Sequence, residues 1–158
     1  MSNSAEKILY RKAALIFEEL GFLMPRSDAG EFSNTECSHA VVSFSGPFSG
    51  CLFLSLSTEI LPQLSANMLG EQGDSGAKME QDALCEVANV ICGNVLPAIY
   101  GFEPVFHLDA PRSVEQSDFA DLISPLHQAA KVNITFDNGH AEVALFVDKD
   151  HPLAITEN

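Results

Sequence analysis

Positive charge is what this chain has least of. Of its 158 residues, 8 are Lys or Arg against 22 Asp or Glu, for a formal net charge of −14. That deficit opposes binding to phosphate backbones and to anionic lipid, so no nucleic acid and no membrane are expected as partners; the charge itself is read as serving solubility. No apolar run approaches the ~20 residues that cross a bilayer. The amino-terminal MSNSAEKILYRKAAL also lacks the apolar centre of a signal peptide, so a cytoplasmic protein is expected. Cysteine is sparse: Cys37, Cys51, Cys85 and Cys92 show neither CxxC spacing nor the density of a disulfide scaffold. Cys85 and Cys92 lie on the flank of one helical pattern and are expected to pack as small apolar residues. His39, His107, His127, His140 and His151 are scattered without metal-ligand spacing, and there is no P-loop, GxSxG, HExxH or GxGxxG. The expectation is a protein with no cofactor and no metal of its own.

Against those absences stands a 46% hydrophobic composition at a length that suits one core. A single domain over residues 1–158 is expected, with 151–158 as a frayed tail. Residues Ala5 to Leu20 read as an amphipathic helix with Leu9, Ala13, Ile16, Phe17 and Leu20 on one face, Asn3 or Ser4 as N-cap and Gly21 as its end. After a polar loop from Arg26 to Cys37, the segments His39–Ser45 and Gly50–Leu56 carry strand-like spacing around Gly46-Pro47-Phe48-Ser49 and predict a hairpin. A short helix follows over Thr58–Leu69, with Pro62 in its first turn, and Gly70, Gly73 and Gly76 predict a mobile connection. Phe102–Leu108 is read as a strand, and Pro111–Pro125 gives no clear pattern. A second hairpin pairs Lys131–Phe136 with His140–Val147, where Asn138 and Gly139 suit a tight primed turn. Elements in this order lack the crossover helices of a parallel sheet. The expected fold class is α+β, an antiparallel sheet with two long helices packed on one face.

The second long helix is the most informative segment: Gln81 to Phe102, QDALCEVANVICGNVLPAIYGF, ending near Gly101 with a kink expected at Pro97. At about 100° per residue, Asp82, Glu86, Asn89 and Gly93 fall within roughly 60° of one another, opposite Leu84, Ala88, Ile91, Val95 and Ala98. One face is therefore for burial and the other presents an acid, an amide and a bare backbone. A Glu-x-x-Asn by itself is common, about one chain in three of this size by composition, and a second copy, Glu31 to Asn34, falls in a polar loop. The helical copy sits in Asp82-x-x-x-Glu86-x-x-Asn89, with Gly93 one turn on and Pro111 further along. Together with the flanking EVANVICGNVLP, this resembles the signature of the CheC/CheX/FliY phosphatases of bacterial chemotaxis, which act on the phosphorylated response regulator CheY.

The resemblance implies the α+β fold and a phosphatase of a CheY-like response regulator. It further implies Mg²⁺ on the phosphorylated partner rather than on this chain. CheC-like members repeat the Glu-x-x-Asn signature on a second helix and CheX-like members carry one; the first helix here has none, so the chain is similar to the CheX branch and a homodimer is implied. On that reading Asn89 positions the attacking water and Glu86 pairs with the receiver's lysine. Gly93 admits a close backbone, Asp82 either contacts the partner or balances the helix dipole, and Pro111 shapes a loop beside the helix. The alternative is a non-catalytic module of the same fold that docks on a receiver or another signalling protein. A small-molecule enzyme is disfavoured, because the sequence offers no convergent nucleophile, base and oxyanion donor.

Overall fold

A computed structural model describes residues 4–26, 36–69 and 76–148. The polar-loop copy Glu31 to Asn34, the Gly70 and Gly73 connection, the Asn3 cap and the 151–158 tail all fall outside the described residues. Helix α1 spans Ser4–Gly21, the strands β1 (Cys37–Ser45) and β2 (Gly50–Ser57) form the first hairpin, and a single 3₁₀ turn at Thr58–Ile60 leads into α2, Leu61–Leu69. Helix α3 follows over Ala77–Tyr100, then the short strands β3 (His107–Leu108) and β4 (Arg112–Val114), a 3₁₀ turn at Gln116–Asp118 and α4, Phe119–Ile123. The second hairpin, β5 (Leu126–Phe136) and β6 (Gly139–Asp148), completes the chain.

The sheet is antiparallel throughout, in the order β3-β1-β2-β6-β5 with β4 also on β1. Residues of even number on β2, Leu52, Leu54 and Leu56, point into the main core with Ala40, Val42 and Phe44 of β1 and Val143, Leu145 and Val147 of β6. Alternation places these on one face, and α1, α2 and α3 cover it. The expected α+β layering is what forms, with the short α2 as a third helix in the same layer. Pro62 sits second in α2, in the first turn where its missing N–H costs nothing. The opposite face carries a smaller apolar cluster, Val41, Cys51 and Phe53, covered by Phe119, Leu122 and Ile123 of α4. That cover is what the patternless stretch 111–125 becomes. Its elements are three to five residues long, too short to show a period.

Several local expectations are corrected. Helix α1 does end at Gly21, but the left-handed residue is the next one: Phe22 takes φ 54°, its N–H bonding Glu18 O at 3.1 Å while Leu23 N–H reaches Phe17 O at 3.1 Å. The Phe22 bond is the 5→1 bond of an αL-type helix ending, here with a non-glycine at the left-handed position. Gly21 is instead required by packing, since a Cβ there would lie 2.6 Å from Leu64 Cδ1 of α2. The β5–β6 turn is not primed. Phe136 pairs with Gly139, leaving Asp137 and Asn138 as the loop, and neither has positive φ. Gly139 lies in the strand, where a Cβ would meet Ile60 Cδ1 at 2.5 Å and Ser57 Cβ at 2.9 Å. Only His107 and Leu108 of the expected strand Phe102–Leu108 join the sheet.

Candidate functional site

Helix α3 begins at Ala77, four residues before the apolar period becomes visible, because its first turn is solvent-exposed and carries no packing signal. It continues through Pro97 to Tyr100 and stops at Gly101, whose φ of 88° is the glycine-favouring region. With 24 residues and a mean hydropathy of 1.4 over its most apolar window, it has the length and composition of a membrane span. Its contacts are those of a core helix: Leu84, Val87, Ala88, Ile91, Cys92, Val95 and Leu96 are buried against α1, α2, β1 and β2.

That burial fixes which face is left. Asp82, Glu86 and Gly93 are exposed and Asn89 is half-buried, in one line along the solvent side of the helix. Glu86 and Asn89, three residues apart, have Cβ atoms about 5–6 Å from each other by helix geometry. Neither is engaged by another side chain among the described residues. Asp82 lies in the second turn rather than the first, where the helix dipole has largely faded. It accepts from Lys78 Nζ at 3.3 Å, an exposed i,i+4 pair worth a few tenths of a kcal/mol. At Gly93 an added Cβ would find nothing within 4 Å. Pro97, four residues on, supplies no N–H to the Gly93 carbonyl, so the backbone acceptor there is left without its usual helical partner.

The stripe is flanked by a cleft at each end. Near its start a polar cleft of about 270 Å³ is lined by Gln81 with His39 of β1, Ser113 and Val114 of β4, and Glu115 and Asp118 beyond. Near its end an apolar cleft of about 190 Å³ runs from Gly93, Leu96 and Pro97 to Phe102, Pro104, Phe106 and Leu108. Pro111 is half-buried, between β3 and β4. Leu108 pairs with Phe44 and Arg112 with Val41, so residues 109–111 face only Val42 and Ser43 and the edge bulges by one residue. A proline suits a bulge because it has no ladder N–H to lose. Beyond the bulge β4 contacts α3, and Ser113 hydrogen-bonds the Cys85 thiol.

The thiols offer no nucleophile. All four cysteines are unbridged. Burial pushes Cys51 and Cys92 up to about 12. Cys37 is raised by burial and then by the charge of Glu142, and Cys85 by burial and then by Asp82, with the Ser113 hydrogen bond acting in the opposite direction. A thiol in that state is a weak attacking group. His39 is lowered by burial, against the opposing charges of Glu115 and Glu142, and its Nδ1 lies 2.7 Å from Ser55 Oγ. Among the described residues no three His, Cys, Asp or Glu side chains gather as a metal site would require. What remains chemically is an amide and a carboxylate on a helix held rigid from behind, an arrangement for positioning rather than covalent attack. The sequence did not pick out Phe102 and Val105. It placed both in a strand, whereas Phe102, Pro104, Phe106 and Leu108 line one cleft.

A family model described as chemotaxis phosphatase CheX matches residues 38–137. No curated protein sequence matches. Among solved structures, a chain of the CheX–CheY–BeF3–Mg²⁺ complex from Borrelia burgdorferi is 15% identical with a TM-score of 0.70, over 90% of this chain and 97% of that one. The chemotaxis protein CheX of Desulfovibrio desulfuricans is 17% identical with a TM-score of 0.67, covering 92% of this chain and 100% of its own. That of Vibrio vulnificus is 12% identical at a TM-score of 0.68, covering 92% and 97%. At such identities these likenesses establish the fold alone.

Proposed function

This chain belongs to the chemotaxis phosphatase CheX family, and from that premise we propose that it hydrolyses the aspartyl phosphate of a CheY-like response regulator in the cytoplasm. The observation that carries the proposal is the pair Glu86 and Asn89 on the solvent side of a core-packed helix, engaged by no other side chain among the described residues. In the reaction a water oxygen bonds to phosphorus, the P–O bond to the aspartate breaks, and the products are a free carboxylate and inorganic phosphate. The receiver brings Mg²⁺ and a lysine to neutralise the phosphoryl oxygens, so the missing element is a water held in line. The structurally similar Borrelia burgdorferi chain comes from a complex with CheY and Mg²⁺, which supports placing the metal on the partner. Asn89 is suited to hold the water because an amide both donates and accepts without adding negative charge beside the phosphoryl group. Glu86 is assigned to the receiver's lysine, fixing the register of docking.

The test is the rate of phosphate loss from a panel of phosphorylated receiver domains with Mg²⁺, with and without this protein. Acceleration of one member supports the reading and names the substrate; no acceleration of any member overturns it. A homodimer is part of the same proposal, supported by the single Glu-x-x-Asn among the described helices, since two copies would place two such stripes on one assembly.

Gly93 gives a prediction in which stability and docking move in opposite directions. An exposed mid-helix glycine costs about 1 kcal/mol relative to alanine, and nothing stands where the new methyl would go. Gly93→Ala is expected to raise urea-unfolding stability by about that amount while weakening capture of the receiver. Equal binding by both proteins would remove Gly93 from the docking surface.

A second reading, a docking module without hydrolysis, shares the same surface. It is favoured by the composition of the stripe, where Asp82, Glu86, Asn89 and Gly93 include no thiol, hydroxyl or imidazole to act as a nucleophile. Glu86→Lys discriminates poorly between catalysis and docking but strongly tests the surface. Reversing the charge that faces the receiver's lysine is expected to weaken binding at least tenfold, read by titration of a receiver carrying beryllium fluoride. Unchanged affinity would place the interface elsewhere.

A further inference from the structure

We propose that the loop following α3, residues Phe102 to Val105, is an apolar anchor that seats the receiver domain beside the Glu86–Asn89 stripe and supplies much of its affinity. The inference rests on the proposed function for the identity of the partner. Phe102 is 90% exposed and Val105 66%, a pairing of large apolar side chains in water that the core does not require. Isolated exposed hydrophobics are ordinary, but these two share a loop with a cleft at its base.

One residue ties the loop to the stripe. Gly93 belongs to both, as the last member of the polar line and the first wall of the apolar cleft. Along the helix it lies about 6 Å from Asn89, and Pro97 about 12 Å. A specific interface covers about 800 Å² on each partner, a disc of about 16 Å radius. A receiver centred on Asn89 therefore extends over this cleft without special placement.

The loop is also held from beneath. Tyr100 and Phe106, at its two ends, join Phe44 and Phe48 in a cluster with ring centroids of 4.9 Å for Phe48–Tyr100, 5.1 Å for Phe48–Phe106 and 5.5 Å for Phe44–Phe106. Gly46 of the first hairpin packs so closely that a Cβ would lie 2.5 Å from the Val105 carbonyl oxygen. A tip fixed at both ends loses little conformational freedom on binding, which is the condition for an exposed aromatic to act as an anchor.

Charge gives the last argument. With a net charge of −14, this protein is not drawn over distance to an acid-rich phosphorylation site, and screening by salt leaves only short-range contact to hold the pair. An apolar anchor provides such contact. The occupant is accordingly a receiver surface with an apolar patch next to its phosphoaspartate, rather than a peptide or a second copy of this chain.

The experiment is steady-state dephosphorylation of the cognate CheY-like receiver, with direct titration of its beryllium fluoride form, for wild type, Phe102→Asp, Phe102→Leu and Asn89→Ala. Phe102→Asp is expected to raise KM and Kd at least tenfold with kcat within about twofold, at low and high salt alike. Phe102→Leu should restore most of the affinity. Asn89→Ala should show the reverse split, with kcat lost and Kd kept. Unchanged KM and Kd in Phe102→Asp, with wild-type catalysis intact, would overturn the anchor and leave the phosphatase reading standing. Binding weakened by Phe102→Asp in a wild type that never accelerates phosphate loss would support the anchor and overturn the phosphatase reading.

Discussion

Replacing Asn89 with alanine is expected to slow receiver dephosphorylation by about 10²-fold or more, equivalent to roughly 3 kcal/mol of transition-state stabilisation. Circular dichroism and unfolding midpoint should be unchanged. The size follows from what the residue is asked to do. Positioning one water in line converts an encounter with solvent into an oriented step, while the receiver's own Mg²⁺ and lysine go on stabilising charge. The fold is expected to survive because Asn89 is half-buried on the rim of α3, flanked by Ala88 and Val87 on the buried side. Alanine is also the better helix former. Asn89→Asp serves as the second variant: it keeps the shape and adds a negative charge facing the phosphoryl oxygens, so it should be as inactive as alanine. Rates in either variant equal to wild type would sink the assignment of Asn89, whatever the protein binds.

The stripe was legible in sequence because a long helix packed on one side writes its period in the residues. Leu84, Ala88, Ile91 and Val95 are all buried, as their spacing requires, Ala98 is half-buried, and the polar members fall opposite them. The roles of Glu86 and Asn89 came from resemblance; periodicity alone reads such a face as solvated surface. The two hairpins were legible for a similar reason, alternation between a core side and an outer side. What could not be read was set by partners distant in sequence. Gly21 and Gly139 both look like punctuation, yet each is glycine because another element comes too close for a methyl, Leu64 in one case and Ser57 with Ile60 in the other. No local rule carries that information. The left-handed residue just past Gly21 is Phe22, which carries no sequence signal for that conformation and is held by the two backbone bonds of the helix ending. Residues 112–123 escaped because their apolar members, Val114, Phe119, Leu122 and Ile123, serve a second sheet face through elements too short to display a repeat.

Gly50→Ala is expected to be the most damaging small substitution in the sheet, lowering stability by about 3 kcal/mol, the upper range for forcing volume into a packed core. For a chain of this length that is a fall of about 6–12 °C in Tm. Gly50 opens β2, the strand between β1 and β6, and pairs with Phe44 on one side and Val147 on the other. A Cβ built there would sit 2.2 Å from the Phe146 carbonyl oxygen, 2.7 Å from Phe44 Cζ and 3.1 Å from Val147 Cα. Two of those three atoms are backbone of the neighbouring strand, so no rotamer change relieves them and the β2–β6 spacing itself must open. Phe44 is part of the aromatic cluster beneath the Phe102 loop, which leaves little room for it to yield. The substitution lies far from the stripe in chemistry, and that separates it from Asn89→Ala. Gly50→Ala should lose Tm and keep kcat when assayed well below its midpoint, whereas Asn89→Ala should keep Tm and lose kcat. A Gly50→Ala protein with an unchanged Tm would mean that the β2–β6 pairing is looser than this geometry requires.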